Sequence, residues 1–259
     1  MIITSKKIDI LVLVFLLLST TFLSLALKFN FLLNSVFFLI TPSIYLSLRS
    51  KNIVLRNLIF TIPFAVVTGI VGDYILLWEK AWYVPTVFSF RILGVTMEEL
   101  IWSTASIYFC IAVYEHFQDN VKHKMVDKHL KTFNLMLGFL ALIFVVSLIL
   151  NPRILHISFF YFKAELILIL FCLYILLRYP RLLFHLTKVS LYILIVSLIF
   201  LLVGVKLGNW IYTGTQFIGW AKIFDLVIPY EEVILAFIFW IFSVEFFEYF
   251  DDRVHLLKS

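Results

Sequence analysis

Apolar residues run along this chain in long blocks, with neither the alternation of a half-buried strand nor the single stripe of a surface helix. A membrane-crossing helix needs about 20 mainly apolar residues, and eight stretches meet or approach that length: 8–27, 31–48, 53–77, 97–116, 133–150, 157–177, 186–205 and 230–249. The pattern predicts an all-α integral membrane protein of about eight transmembrane helices. The first run, Ile8–Leu27, is longer than a signal-peptide core and has no small-residue cleavage site, so it is expected to stay as the first span.

Composition strengthens that picture. The 259 residues are 63% hydrophobic and 14% charged, with a mean hydropathy of +1.06, far from the balance of soluble domains. Gly and Pro are sparse at 8 and 6 while Phe reaches 29, which excludes collagen-like, linker-like and disordered classes. No appended soluble domain is expected. The net charge of +5 points to orientation in a bilayer instead of a nucleic-acid partner. Of the 21 Lys and Arg, alternate sides of the eight-span arrangement receive fourteen and seven, and the richer side holds both termini. Basic residues favour the cytoplasmic face, so a multi-pass cell-membrane protein with both termini cytoplasmic is expected, with membrane lipid as its surroundings.

The chain divides at the polar, basic segment between Gln118 and Thr132 into residues 1–120, a linker at 121–132, and residues 133–259. The two parts share sequence. Met97-Glu98-Glu99 runs on to Tyr114-Glu115-His116-Phe117, and Tyr230-Glu231-Glu232 runs on to Phe247-Glu248-Tyr249-Phe250, with the third Glu at the same spacing from the pair. Gly72-Asp73-Tyr74-Ile75 is echoed more loosely by Gly208-Asn209-Trp210-Ile211, each ahead of an aromatic-rich connection. Four spans per part makes the expected repeats parallel, related by an axis along the membrane normal.

Ionisable groups inside spans are costly and mark function by default. Glu98, Glu99, Glu231 and Glu232 sit in first helical turns, where the helix dipole stabilises a carboxylate, so an ordinary acidic helix start is the bland alternative; its repetition in both parts argues against it. Adjacent helical residues point about 100° apart, so one member of each pair is expected to face a cavity while the other hydrogen-bonds to it or to a loop. Close carboxyls in an apolar setting do not both ionise readily, which equips such a site to protonate an alkene. Trp78, Trp82, Phe90 and Trp102, with Trp210, Trp220 and Tyr230, offer ring faces to a carbocation; an interfacial aromatic belt is their other reading. Asp73 and Asn209 are expected beside the pairs, a solvated helix end being the alternative for Asp73. Glu115 and Glu248 are expected as helix-end anchors at the opposite interface, and His116, His123, His129 and His255 as solvated. Cys110 and Cys172 read as small apolar packing groups. No metal-ligand spacing appears.

The segment Pro85-Thr86-Val87-Phe88-Ser89-Phe90-Arg91-Ile92-Leu93-Gly94-Val95-Thr96-Met97-Glu98-Glu99 resembles the signature region of the lycopene cyclase domain family, the fused or heterodimeric type of bacteria, archaea and fungi. Ile228-Pro229-Tyr230-Glu231-Glu232 matches that family's Pro-x-Glu-Glu pattern more closely; in the first copy Thr96 stands in place of the proline. The resemblance implies non-redox, proton-initiated closure of the ends of linear lycopene into six-membered rings. It makes Glu98, Glu99, Glu231 and Glu232 the acid and base candidates, with a long apolar carotenoid as substrate, other carotenoid enzymes as possible partners and no cofactor. No Gly-x-Gly-x-x-Gly follows a strand, so no flavin or nicotinamide site is expected. A carotenoid end-group hydratase and a small proton- or cation-coupled transporter are the competing readings. An intramembrane protease of the CAAX-processing type would need an Arg one turn after the Glu pair and downstream His motifs, which Leu100–Ser103 and Val233–Ala236 do not provide.

Overall fold

A computed structural model describes residues 2–50, 54–118 and 128–250. Every predicted apolar stretch is helical, because in hydrocarbon only a helix or a closed barrel satisfies each backbone N–H and C=O. In chain order these are α1 (Ile2–Leu27); a broken helix of α2 (Phe31–Ser35), a π segment (Val36–Ile40) and α3 (Thr41–Arg49); α4 (Val54–Trp78); α5 (Met97–Gln118); α6 (Lys128–Leu150); α7 (Phe160–Arg178); α8 (Pro180–Lys206); and α9 (Tyr230–Phe250). The π segment lies just ahead of Pro42, whose ring and missing N–H break the regular ladder. Ser43 Oγ donates to the Leu39 carbonyl at 2.6 Å and Thr41 Oγ1 to the Val36 carbonyl at 3.0 Å, so the break leaves these acceptors satisfied.

Among the described residues, seven of these elements are long and apolar enough to cross a membrane, which makes this a multi-pass membrane protein. The remaining one, α5, is 22 residues long but carries Glu98, Glu99 and Glu115. Its lower apolarity follows from its place. It packs against α2, the π segment, α3, α4, α8 and α9, so protein surrounds it where lipid surrounds much of α1 and α6. Elsewhere α6 packs on α4 and α1 on α8, while α3 lies against α5 and α7 against α9. The predicted linker at 121–132 lies mostly outside the described residues, as do His123 and His255.

Among the described residues, three short antiparallel ladders interrupt the helices at one end of the bundle, in the connections predicted to be aromatic. These are β1 (Trp82–Tyr83) with β4 (Ile211–Tyr212), β2 (Arg91–Ile92) with β3 (Val95–Thr96), and β5 (Trp220–Ile223) with β6 (Leu226–Pro229). The two hairpins lead directly into α5 and α9. The β1–β4 ladder joins the segment after α4 to the segment after α8, with Trp82 opposite Tyr212. Beside it, the N–H groups of Thr213 and Gly214 both donate to the Ala81 carbonyl at 3.2 Å, and a Cβ on Gly214 would lie 2.8 Å from Ala81 Cα. Backbone cannot yield as a side-chain tip can. Gly214→Ala is therefore expected to destabilise the protein by about 1–3 kcal/mol, read as a fall in melting temperature in detergent.

The opposite end is held by charge. The nearly inaccessible Asp9 accepts from Tyr45 Oη at 2.5 Å and Arg49 Nε at 3.0 Å and pairs with His116 Nε2 at 2.9 Å, while His116 Nδ1 meets Ser50 Oγ at 2.8 Å. This network ties α1, α3 and α5 together. His116 is thus a buried partner of Asp9 and not the solvated residue its basic flank suggested. Glu115 and Glu248 also depart from expectation. Both lie at this end but inside the bundle, 2% exposed, and Glu245 on α9 is buried as well, because neighbouring helices cover the last turns that composition alone assigns to the interface. Phe60, Phe64, Phe133, Phe247 and Phe250 pack into one apolar cluster, with Phe60 stacked on Phe133 at 4.7 Å. Cys110 and Cys172 are buried and free.

Candidate active site: a carboxyl-lined cavity between the helices

The glutamate pairs lie at the ladder end, at the starts of α5 and α9. Thr96, the last residue of β3, precedes Met97-Glu98-Glu99 and forms a reciprocal cap: Glu99 N donates to Thr96 Oγ1 at 3.2 Å while Thr96 N donates to Glu99 Oε2 at 2.9 Å. This is the Thr-x-x-Glu capping box that starts many helices. Thr96 Oγ1 adds a 2.7 Å bond to Oε2, and Trp82 Nε1 donates to Oε1 at 2.9 Å. Glu99 is therefore held by three donors, the arrangement of a fixed carboxylate.

At the start of α9 the position that matches Thr96 differs, with a large consequence. Pro229 occupies the place of Thr96 and has neither an N–H nor a hydroxyl to give. Glu232 is left out of any capping box and lies beside the hydroxyls of Tyr161 and Tyr212. Burial first, then the Glu232 carboxyl beside it, holds the Tyr212 hydroxyl well above the ordinary tyrosine range. Tyr212 thus stays a neutral donor.

The other member of each pair serves a loop, one of the two partners that the 100° offset leaves it. Glu98 Oε1 accepts from the N–H groups of Val87 and Phe88 at 2.6 and 2.7 Å, and Glu231 Oε1 from that of Ile218 at 2.7 Å. Each pins the loop before its hairpin, and neither lines the cavity.

That cavity, about 310 Å³, lies between α4, α5, α7 and α9. Its wall holds Asp73, Glu99, Glu165 and Glu232 among Trp82, Trp102, Trp210, Tyr161, Phe239 and Phe242, and none of its lining residues is Lys, Arg or His. A smaller space of about 60 Å³ shares Trp102, Trp210, Glu232 and Phe239 and adds Ser106, Cys110 and Ser197. The rings stand around it in fixed relation: Trp102 meets Trp210 edge-on at 5.3 Å and lies parallel to Phe239 at 6.4 Å. A low-dielectric chamber with four carboxyl groups and no lining cation does not hold four negative charges. Such a chamber can give a proton to a weak base and surround the resulting cation with ring faces and a carboxylate.

Of the residues expected at the site, Asp73, Trp82, Trp102 and Trp210 line this cavity with Glu99 and Glu232. The structure places the others elsewhere. Trp78 and Phe90 are 50% and 62% exposed, Trp78 lying against His156 at 4.1 Å, and Trp220 and Tyr230 are also largely exposed. These four occupy the rim where amphipathic rings meet the membrane interface. Asn209 is buried but donates to the Phe29 carbonyl at 3.2 Å, away from the cavity. Its matching to Asp73 fails because Asp73 lies within α4, whereas Asn209 lies beyond the end of α8. Glu165 and Tyr161 are the residues that sequence reasoning passed over. The available signal was an ionisable residue within the apolar run of α7. Among the described residues no cluster of three or more His, Cys, Asp or Glu has the placement of a metal site. Comparison with protein-family models, with curated proteins and with solved structures finds no match.

Proposed function

We propose that the protein is a membrane carotenoid cyclase that closes the linear ends of lycopene into six-membered rings by a proton-initiated, non-redox isomerisation. The observation that carries this reading is the cavity itself: Glu99 and Glu232 come from corresponding helix starts in the two parts of the chain, yet meet in one apolar chamber walled by Trp82, Trp102 and Trp210. The resemblance of residues 85–99 and 228–232 to the lycopene cyclase domain family supplies the substrate class.

The chemistry suits the chamber. A carboxylic acid adds a proton to the terminal alkene, leaving a tertiary cation. The internal alkene gives its electron pair to that cation, forming the ring bond and moving the charge to a ring carbon, and a carboxylate removes an adjacent proton to leave the ring alkene. One proton enters and one leaves, no electrons are exchanged, and the chain's own groups suffice. Ring faces and the pinned Glu99 carboxylate stabilise the charge between those steps.

The same reading takes the architecture as two parallel repeats of four spans with both termini cytoplasmic. Its support is the exchange of partners, in which the first helix of each part packs on the third helix of the other, α1 on α8 and α6 on α4. The excess of Lys and Arg on the side of the termini supports the orientation.

Expression in a lycopene-accumulating host is the direct test. Cyclic carotenes are expected from cells carrying the intact protein, and purified protein is expected to show no stoichiometric flavin spectrum. A hydroxylated linear carotenoid would instead identify an end-group hydratase. A proton- or cation-coupled transporter is the second reading, favoured by the buried Glu115, Glu245 and Glu248 at the far end from the cavity; unchanged lycopene together with proton flux in proteoliposomes would establish it.

A further inference from the structure

The cyclase reading leaves open which carboxyl group starts the reaction, and the two glutamates expected to share that task are not equivalent. Glu99 has three donors on it. Those bonds fix its carboxyl group at the helix start and leave it little freedom to turn toward a substrate. The cavity contains another carboxyl group with the opposite surroundings.

Glu165 is 1% exposed, and neither of its oxygens accepts a hydrogen bond of ordinary length, the Leu235 N–H being a backbone neighbour outside that reach. It lies on the face of α7 that lines the cavity, where Tyr161, Ala164, Glu165 and Leu168 follow the i, i+3, i+4, i+7 spacing of one helix face and Phe160 adds the first turn. On that face Tyr161 is a neighbour of Glu232. An ionised carboxylate with no donor and no cation on an apolar wall is far more costly than the neutral acid.

Resting on the cyclase reading, we infer that Glu165 is the catalytic acid that delivers the initiating proton, and that Glu232 takes up the proton the ring releases. The Glu165 carboxylic O–H bond breaks as the new C–H bond forms at the alkene, leaving the Glu165 carboxylate. The ring C–H bond breaks as Glu232 is protonated, its electron pair becoming the ring alkene. Return of that proton from Glu232 to Glu165 restores both groups. Only the second part of the chain then performs proton transfer, because Pro229 frees Glu232 while Thr96 ties Glu99. The first part contributes a fixed anion, so a single chamber serves both ends of lycopene in turn.

Two measurements test this. The first needs no substrate: N,N′-dicyclohexylcarbodiimide, a lipid-soluble reagent for protonated carboxyl groups, is added to the full-length protein at neutral pH and the adduct is mapped by mass spectrometry. Adduct on Glu165, absent from the Glu165→Gln protein and absent from Glu99, is expected; an unlabelled Glu165 beside a labelled Glu99 overturns the assignment. The second is ring formation in the lycopene-accumulating host at matched expression. Glu165→Gln is expected to lower cyclic product at least about a hundredfold, Glu165→Asp to keep part of it because the acid remains, and Glu245→Gln, a buried carboxyl outside the cavity, to form rings as the intact protein does. Ring formation by Glu165→Gln at the intact protein's level overturns the role of Glu165 and leaves the cyclase reading standing. Unchanged lycopene with the intact protein overturns the cyclase reading, and the donor role with it.

Discussion

Glu232→Gln is expected to reduce ring formation by about two to four powers of ten while the protein remains folded. Glutamine keeps the size of the side chain and a carbonyl that can accept from Tyr161 and Tyr212, but it cannot take up a proton as a carboxylate does. Pro229 offers Glu232 no backbone or side-chain donor, so no helix cap is lost with the substitution. Melting temperature in detergent is expected to stay close to that of the intact protein, and product analysis is expected to return lycopene. Undiminished cyclic product would remove Glu232 from the mechanism.

Glu99→Gln is expected to damage both chemistry and stability, and the combination separates the two pairs. The amide retains one oxygen where the carboxylate offered two, so the bonds from Trp82 Nε1, Thr96 N and Thr96 Oγ1 cannot all survive. Loss of charge-assisted bonds of this kind costs about 1.5–3 kcal/mol, read as a lowered melting temperature. The fixed negative charge facing the cation also disappears, and removing one preorganised electrostatic stabiliser slows comparable reactions by about a hundred- to a thousandfold. Thr96→Val removes the Oγ1 bonds but leaves the carboxylate in place, so it should lower the melting temperature with much the smaller effect on ring formation. Equal losses of activity in Glu99→Gln and Thr96→Val would show that Glu99 matters only as a helix cap.

The two Glu-Glu helix starts thus share a short pattern but hold their cavity-facing carboxyl groups differently, and the position before each start accounts for it. A threonine before the pair makes a cap and immobilises the cavity-facing carboxylate; a proline before the pair releases it. The same comparison explains the members that face away. Glu98 and Glu231 each give an oxygen to loop amides, which positions the hairpins and, through them, the starts of α5 and α9.

The amino-acid sequence by itself determined where the helices lie, what kind of protein this is and where its carboxylates enter the bundle. Those features answer to local rules. Hydrocarbon requires about 20 apolar residues per crossing and an internal partner for every backbone group, so the predicted stretches and the observed helices agree to within a few residues at most ends; the clearest misses are the extensions of α1 back to Ile2 and of α8 back to Pro180, where polar and apolar residues mix. The adjacency of Glu98 and Glu99, and of Glu231 and Glu232, likewise required one member to look inward and one outward.

Only the tertiary structure decided which member looks inward, that Glu165 joins them, that Glu115, Glu245 and Glu248 are enclosed, and that Trp78, Phe90, Trp220 and Tyr230 stay at the rim while Trp82, Trp102 and Trp210 enter. The physical reason is rotational. A helix apolar on every side carries no stripe that tells its buried face from its lipid face, so its direction is set by the partners that surround it. Glu165 shows this most directly: its own helix reads as an uninterrupted span, and its meaning comes from α4, α5 and α9, which give it a wall of rings and carboxyl groups and no hydrogen bond of ordinary length to either oxygen.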